Sequence, residues 1–411
     1  MMASCEQPGL MPIDEAKLRI SALVKGLEHT ESLQLVDALG RVLAQDLHSP
    51  INVPGFDNSA MDGYAFNWQD AVDMPFLTLV GKSFAGNPYL KALNKGECVR
   101  IMTGAALPKG ADTVVMQENA ALNGDELSFS KVPPKGNNIR LAGESIRQAS
   151  LVIAKGKKLC AADIGLLSSL GCDEVSVYRK LKVAVFSTGD ELLRTGEPYE
   201  PHKIYDGNRP AIIALLHKMQ FEVIDLGIVP DKPQALREVF MQADALADCV
   251  ISTGGVSVGE ADFVKDILAE RGQIDFWKLA IKPGKPLAFG RLPNSVFFGL
   301  PGNPVSAFVT FNQIAADALK QMSGEHVISV PTVSAICTEP LRKQPGRVDF
   351  QRGQWSVSDA GELQVSSTGA QGSGIFSSFI NSNCYIVLER DRGSVKAGES
   401  VQIKLFDDSL T

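Results

Sequence analysis

Between Leu181 and about Met322, short apolar runs alternate with helical patterns, and no other feature of this 411-residue chain limits its fold as strongly. The runs are Val183-Ala-Val-Phe186, Val223-Ile-Asp-Leu226, Cys249-Val-Ile251, Phe276-Trp-Lys-Leu279 and Val296-Phe-Phe298. The helical stretches are 209–219, 234–245, 260–271 and 304–320. Strands that are apolar on both faces must be covered on both, so the alternation predicts a parallel, doubly wound sheet.

The flanking segments have a different texture. Ala16, Ile20, Leu23, Val24 and Leu27 share one helical face, which predicts an amphipathic helix over residues 12–27. Residues 51–145 hold short β-prone runs broken by glycine and proline, with Asn123-Gly124 expected as the centre of a type I′ hairpin. Residues 163–170 again suggest a helix, stopped by Gly171. Beyond residue 330 only short strands and turns remain, so a small β barrel or sandwich is expected. Four domains follow as an expectation: a discontinuous helical domain (1–50 with 146–180), an inserted β-rich domain (51–145), an α/β domain (181–330) and a C-terminal β barrel (331–411).

Composition excludes several function classes. Forty basic against 47 acidic residues leave a net charge of −7, a field that repels nucleic acids and anionic lipid surfaces. No run approaches about 18 consecutive apolar residues, and residues 1–17 lack the basic and apolar regions of a secretory signal. Seven cysteines with no C-x-x-C pair fit reduced thiols in a cytoplasmic protein. Five scattered histidines offer no zinc spacing, so any metal would need oxygen ligands.

In a doubly wound sheet, ligands bind outside the carboxyl ends of the strands, and the loops there carry this chain's unusual residues. Asp190, Glu191, Asp231 and Asp262 fall on three of them; Gly254, Gly255 and Ser257 form a glycine-rich turn; Lys278, Lys282 and Lys285 surround another. Singly, such acids are most often caps or solvated, and such glycines mark ordinary turns. Together they match the needs of a phosphoanhydride bridged by a hard divalent cation: backbone N–H groups for the anion, carboxylates for the metal and lysines for the remaining charge. The Leu300-Pro-Gly-Asn-Pro turn, containing Pro301 and Pro304, reads alone as a stiff helix entry. No P-loop and no dinucleotide fingerprint is present.

Six motifs, in order, carry a resemblance: Pro54-Gly-Phe-Asp-Asn-Ser-Ala-Met-Asp-Gly-Tyr-Ala65, Arg100-Ile-Met-Thr-Gly-Ala105, Phe186-Ser-Thr-Gly-Asp-Glu191, Gly254-Gly-Val-Ser-Val-Gly-Glu-Ala-Asp262, Lys282-Pro-Gly-Lys-Pro286 and Gly299-Leu-Pro-Gly-Asn-Pro-Val-Ser306. Almost end to end, the chain resembles the MoeA family of molybdopterin molybdenumtransferases, related to the E domains of gephyrin and other molybdenum-cofactor proteins. The resemblance implies a MogA/MoaB-like α/β domain within a four-domain subunit of an elongated homodimer. It also implies conversion of adenylylated molybdopterin and molybdate to molybdenum cofactor, with release of AMP and a divalent cation such as Mg²⁺. An upstream molybdopterin adenylyltransferase would be a partner, as would downstream molybdoenzymes or cofactor carriers.

By the same resemblance, Asp190, Glu191, Asp231 and Asp262 serve metal and nucleotide, and the Gly254–Gly255 loop with Ser257 lies under the phosphates. Lys278, Lys282 and Lys285 hold anionic substrate, and Lys282, Lys285, Ser306, Arg347 and Ser378 take molybdate beside Pro301 and Pro304. Asp62 and Thr103 belong to an inserted domain that closes on the cleft of the other subunit, implying a shared active site. Two positions depart from the family pattern: Ser145 stands where an acid is usual, and Gly207 where serine or threonine is commoner. Two other readings stay open at this stage, a molybdopterin adenylyltransferase and a non-catalytic scaffold of the gephyrin type.

Overall fold

The structure is a computed structural model and describes residues 9–255, 272–328 and 330–406. Its central sheet has six strands in the order Glu222–Val229, Lys182–Thr188, Cys249–Thr253, Val296–Leu300, Pro286–Arg291 and Gln273–Lys278. The first four run parallel. Alternate residues face opposite sides, as the apolar runs require. Val183, Val185, Ile251 and Phe298 pack with the helices Ile13–Leu23, Asn208–Lys218 and Pro304–Thr310, while Ala184, Phe186, Val250 and Phe297 pack under the helix Pro233–Leu246. The helix expected at 260–271 lies outside the described residues.

The sheet is not wholly parallel. Pro286–Arg291, a strand missing from the apolar runs noted above, runs antiparallel to both its neighbours. The connections 279–285 and 292–295 are too short for a parallel crossover, which takes about a dozen residues or more, so two hairpins form instead. Because both pairings reverse direction, Gln273–Lys278 still points the same way as the parallel strands. The 279–285 loop therefore stays on the rim where their carboxyl ends emerge.

The first helix ends at Leu23, four residues earlier than its spacing suggests, because Val24 leaves in an extended conformation. Val24 and Leu27 still reach the same core from that extended segment, so the apolar spacing served burial without helix. Thr30–Gln34 pairs with Glu174–Tyr178, and Leu47–His48 with Leu151–Ile153, so the chain leaves and returns side by side around the intervening β-rich segment. That segment folds as a six-stranded sheet ordered Thr113–Met116, Gly63–Phe66, Glu97–Ile101, Leu77–Ser83, Glu126–Phe129, Ala120–Asn123. Its last hairpin is one residue out of the expected register. Asn123 pairs with Glu126, leaving Gly124 and Asp125 as the loop, and only Gly124 has positive φ (63°). Glycine at the first central position gives the type II′ pattern in place of type I′.

In the C-terminal region, Val348–Val357, Leu363–Ser367, Thr332–Cys337, Ser400–Leu405 and Cys384–Leu388 close on themselves as a five-stranded barrel. Ile281–Lys282 adds to it in parallel, opposite Val348 and Asp349, and so joins the barrel to the rim of the central sheet. No helix among the described residues is long and apolar enough to cross a membrane.

Candidate active site

A cleft of about 640 Å³ opens over the carboxyl rim of the central sheet, lined among others by Glu191, Asp231, Gly254, Gly255, Pro301 and Ser306. Strand order sets the sequence of groups along it. Asp231 follows the edge strand, Asp190 and Glu191 the next, Gly254–Gly255 the third and Pro301–Ser306 the fourth, with Pro286 beginning the fifth. Five loops thus meet at one opening, four because parallel strands deliver their carboxyl ends to the same edge and the fifth because the 279–285 hairpin turns there.

Three of the expected acids converge. The Asp231 N–H donates to Asp190 Oδ1 at 3.2 Å. Burial raises the Asp231 pKa, the nearby Thr188 side chain works against it, and the negative charges of Asp190 and Glu191 raise it further. The folded state therefore binds this proton more tightly than the unfolded chain, so this group's contribution to stability falls as pH rises through and above the ordinary aspartate range. Asp231→Asn is expected to raise the melting temperature at pH 7 and to have little effect near pH 3, where the wild-type side chain is already neutral. Thermal melts at the two pH values check this. Asp262 and Ser257 lie outside the described residues. Among the described residues, no three carboxylate, imidazole or thiolate groups sit close enough to hold a metal by themselves.

Gly254 and Gly255 both adopt positive φ, 91° and 67°. A Cβ on Gly254 would lie 2.6 Å from the Thr188 carbonyl oxygen, so backbone contact as well as φ demands glycine there. Across the cleft, Pro304 begins a helix whose Asn303 N-cap makes no side-chain cap. The Val305 N–H instead donates to the Ser373 carbonyl at 3.0 Å, which ties this turn to the barrel. Ser306 is buried in the first turn. Gly207 occupies the N-cap of Asn208–Lys218 without a side-chain cap, as expected where a hydroxyl is missing. Ser145 is exposed, and its N–H donates to the Val53 carbonyl at 3.0 Å.

The expected cations divide between places. Lys278 and Lys285 are exposed at either end of the 279–285 loop. Lys282 donates to the buried Asp349 at 3.3 Å and lines a second cleft of about 670 Å³ with Arg342, Lys343 and Arg347. Lys282 and Arg347 are therefore brought together in the second cleft, while Ser306 lines the main one. Ser378 is buried, donating to the Ile375 carbonyl at 2.7 Å and accepting from Arg352 Nε at 3.0 Å.

Arg352 was missed in the sequence. It is fully buried, its guanidinium lies 6.0 Å from the Phe379 ring, and Nη1 reaches only the Phe350 carbonyl at 3.4 Å. Nη2 has no hydrogen-bond partner. Burial lowers its pKa, and the opposing influence of Tyr385 and of the Asp349 charge does not make up for it. The short helical turn Phe376–Phe379 links it to the main cleft: Phe376 lines that cleft, and Ser378 holds Arg352 from the other side. The only sequence signal is an arginine within the run Val348-Asp-Phe-Gln-Arg352, whose last four residues are all buried.

Asp62 and Thr103 sit together at one end of the inserted sheet. Asp62 Oδ1 accepts from the Thr103 N–H and Oγ1, both at 2.8 Å. The backbone bond first, then the hydroxyl bond, and to a smaller degree the Arg100 charge hold the Asp62 carboxyl below the usual range. Both residues are exposed and line neither cleft of their own chain.

Three family models match in order: the MoeA N-terminal region (domain I and II) over residues 11–171, a probable molybdopterin binding domain over 184–321, and the MoeA C-terminal region (domain IV) over 334–406. The chain is similar to the molybdopterin molybdenumtransferase of Haemophilus influenzae, 48% identical over 403 residues, covering 98% of this chain and 100% of that one. It is also similar to the molybdopterin molybdenumtransferase of Staphylococcus aureus (strain COL), 32% identical over 411 residues, covering 98% and 97%. Among solved structures, it resembles the molybdopterin biosynthesis MoeA protein of Pyrococcus horikoshii with a TM-score of 0.84 and 31% identity, covering 97% and 100%.

Proposed function

Because the chain belongs to the MoeA family of molybdopterin molybdenumtransferases, we propose that its main cleft is where molybdate meets adenylylated molybdopterin and AMP is released. The protein is a transferase of molybdenum cofactor biosynthesis, and its reaction inserts molybdenum into molybdopterin. The observation that carries the reading of the cleft is the crowding of Asp190, Glu191 and Asp231 opposite the side-chain-free Gly254–Gly255 turn. Acids held this close repel one another unless a cation joins them, and the glycine turn gives phosphate oxygens a place beside that cation.

The donor set fits Mg²⁺ or a similar hard cation in one respect. Such ions take one or two carboxylates and complete their shell with water and substrate phosphate, so they need no all-protein cage. One or two of Asp190, Glu191 and Asp231 would hold it, with Asp262 as a further candidate. When bound, the ion neutralises the phosphoanhydride oxygens and the charge that grows on the leaving AMP. Pro301 and Pro304 stiffen the turn that carries Ser306, which lowers the ordering cost of a site facing the dithiolene. Arg352, held by Ser378 behind Phe376, supplies a buried cation with an unpaired Nη2 that a tetrahedral dianion such as molybdate would satisfy. Lys285 and Lys278 are placed to attract anions to the rim. Lys282 and Arg347, in the second cleft, are placed to gather molybdate before transfer.

The exposed Asp62–Thr103 pair supports a homodimer in which the inserted domain of one subunit completes the cleft of the other. The whole would work in the cytoplasm between a molybdopterin adenylyltransferase and the molybdoenzymes or carriers that take the cofactor. Glu191→Gln is expected to lower AMP release and cofactor formation from adenylylated molybdopterin and molybdate about a hundredfold, with an unchanged melting temperature. Turnover equal to wild type would remove the acid rim from the mechanism.

A further inference from the structure

One end of the main cleft carries groups that neither metal, phosphate nor molybdate explains. Leu192–Leu193 and Ile204–Tyr205 form a two-stranded parallel ribbon, with Leu192 opposite Ile204 and Leu193 opposite Tyr205. Paired residues share a face and successive residues alternate, so Leu192 and Ile204 lie on one side. Leu193, on the other side, is buried in the protein, whereas both Leu192 and Ile204 line the cleft. Ile204 is 60% exposed there, an apolar side chain at the end of the cleft that also carries Glu191 and Asp231.

The ribbon is rigidly tied to the acid loop. The Ile204 N–H donates to the Glu191 carbonyl at 2.9 Å and the Asp206 N–H to the Leu193 carbonyl at 2.9 Å. The Tyr205 hydroxyl donates to the Glu197 carbonyl at 2.8 Å, closing the loop from the other side. Such bracing pre-organises an apolar surface and lowers the cost of ordering it around a ligand.

Resting on the reading of the cleft given above, we infer that Leu192 and Ile204 form the ledge against which the nucleobase of the adenylylated substrate lies. Strand order supplies the reason. The glycine turn stands at the third strand and the Ser306, Phe376 and Arg352 groups at the fourth and beyond, so phosphates at the turn send the dithiolene toward the barrel. The adenosine must then run back toward the first two strands, and the ledge is the apolar surface at that end. A flat heteroaromatic ring covers aliphatic side chains without asking them for hydrogen bonds, so the ledge reads the presence of a base.

Calorimetric titration of the full-length protein with AMP and with ribose 5-phosphate, both with Mg²⁺, tests this. Wild type is expected to bind AMP about tenfold tighter than ribose 5-phosphate. Ile204→Ala and Leu192→Ala are each expected to weaken AMP about fivefold while leaving ribose 5-phosphate unchanged, and Ile204→Leu to retain AMP. In turnover, Ile204→Ala raises KM for the adenylylated substrate with kcat preserved. Equal affinity of wild type for the two ligands, or equal weakening of both by the alanine variants, overturns the ledge. Molybdenum insertion by the wild-type protein is assayed in parallel. Insertion without base discrimination sinks the ledge alone, whereas base discrimination that depends on Ile204 without insertion sinks the proposed function and leaves the ledge.

Discussion

Replacing Arg352 with methionine is expected to lower molybdenum insertion at least about a hundredfold while leaving the protein as stable as wild type, or more so. The two halves of this result come from one observation, a fully buried guanidinium with no partner at Nη2 and a lowered pKa. Burial of this cation costs more than Tyr385 and the Asp349 charge return, and substituting a buried charge by an apolar side chain of similar size is often neutral or stabilising by about 1–4 kcal/mol. Against that stand the bonds to Ser378 Oγ and the Phe350 carbonyl, each worth on the order of 1 kcal/mol, and Ser378 keeps its own bond to Ile375. Activity moves the other way, because removing a preorganised donor from a developing or bound oxyanion typically costs two to three orders of magnitude. Arg352→Lys, which retains charge but not the planar fork, should fall between, and raised molybdate should recover part of its rate. A melting temperature that drops by many degrees together with retained insertion would make Arg352 a structural residue and remove it from the site.

Mixing two inactive chains should restore activity. Asp62→Ala and Glu191→Ala are each expected to abolish most turnover, yet dimers formed at random from equal amounts should regain about one quarter of wild-type activity. Half of such dimers are mixed, and in a mixed dimer with shared sites one cleft carries both defects while the other carries neither. The structure motivates this arithmetic: Asp62 and Thr103 hold each other at an exposed edge of the inserted sheet and line neither the main cleft nor the second cleft of their own chain. If each subunit instead worked with its own Asp62, every cleft would contain one defect and mixing would restore nothing. Gel filtration of the mixture beside the insertion assay separates these outcomes from a failure to pair.

Much of the fold was legible because its causes are local. Val183, Val185 and their neighbours had to be covered on both faces, and only helices on either side of a parallel sheet achieve that. Glycine and acid loops were legible as a site because parallel strands deliver their carboxyl ends to a single edge. The antiparallel strand Pro286–Arg291 was less so, since its direction depends on the length of two turns and not on its own composition. The hairpin at Gly124 slipped by one residue because either neighbour of glycine could have completed the loop. Arg352 was hidden for a different reason. Its burial depends on closure of a barrel whose strands come from residues 332 to 405, so nothing near it in the sequence marks its guanidinium as buried with an unpaired nitrogen. Nor does the sequence tell that Lys282 and Arg347 line one cleft and Ser306 the other, although all three carry the chemistry expected of oxyanion ligands.

The most direct measurement is anomalous diffraction from crystals of the protein soaked with AMP, Mg²⁺ and molybdate. The expected result is a molybdenum peak beside Arg352, Ser378 and Ser306, with the AMP phosphate on the Gly254–Gly255 turn and the cation between Asp190, Glu191 and Asp231. Molybdenum and nucleotide on separate faces of the molecule, with only water at Glu191 and Asp231, would contradict the joining of metal oxide and activated pterin in one cleft.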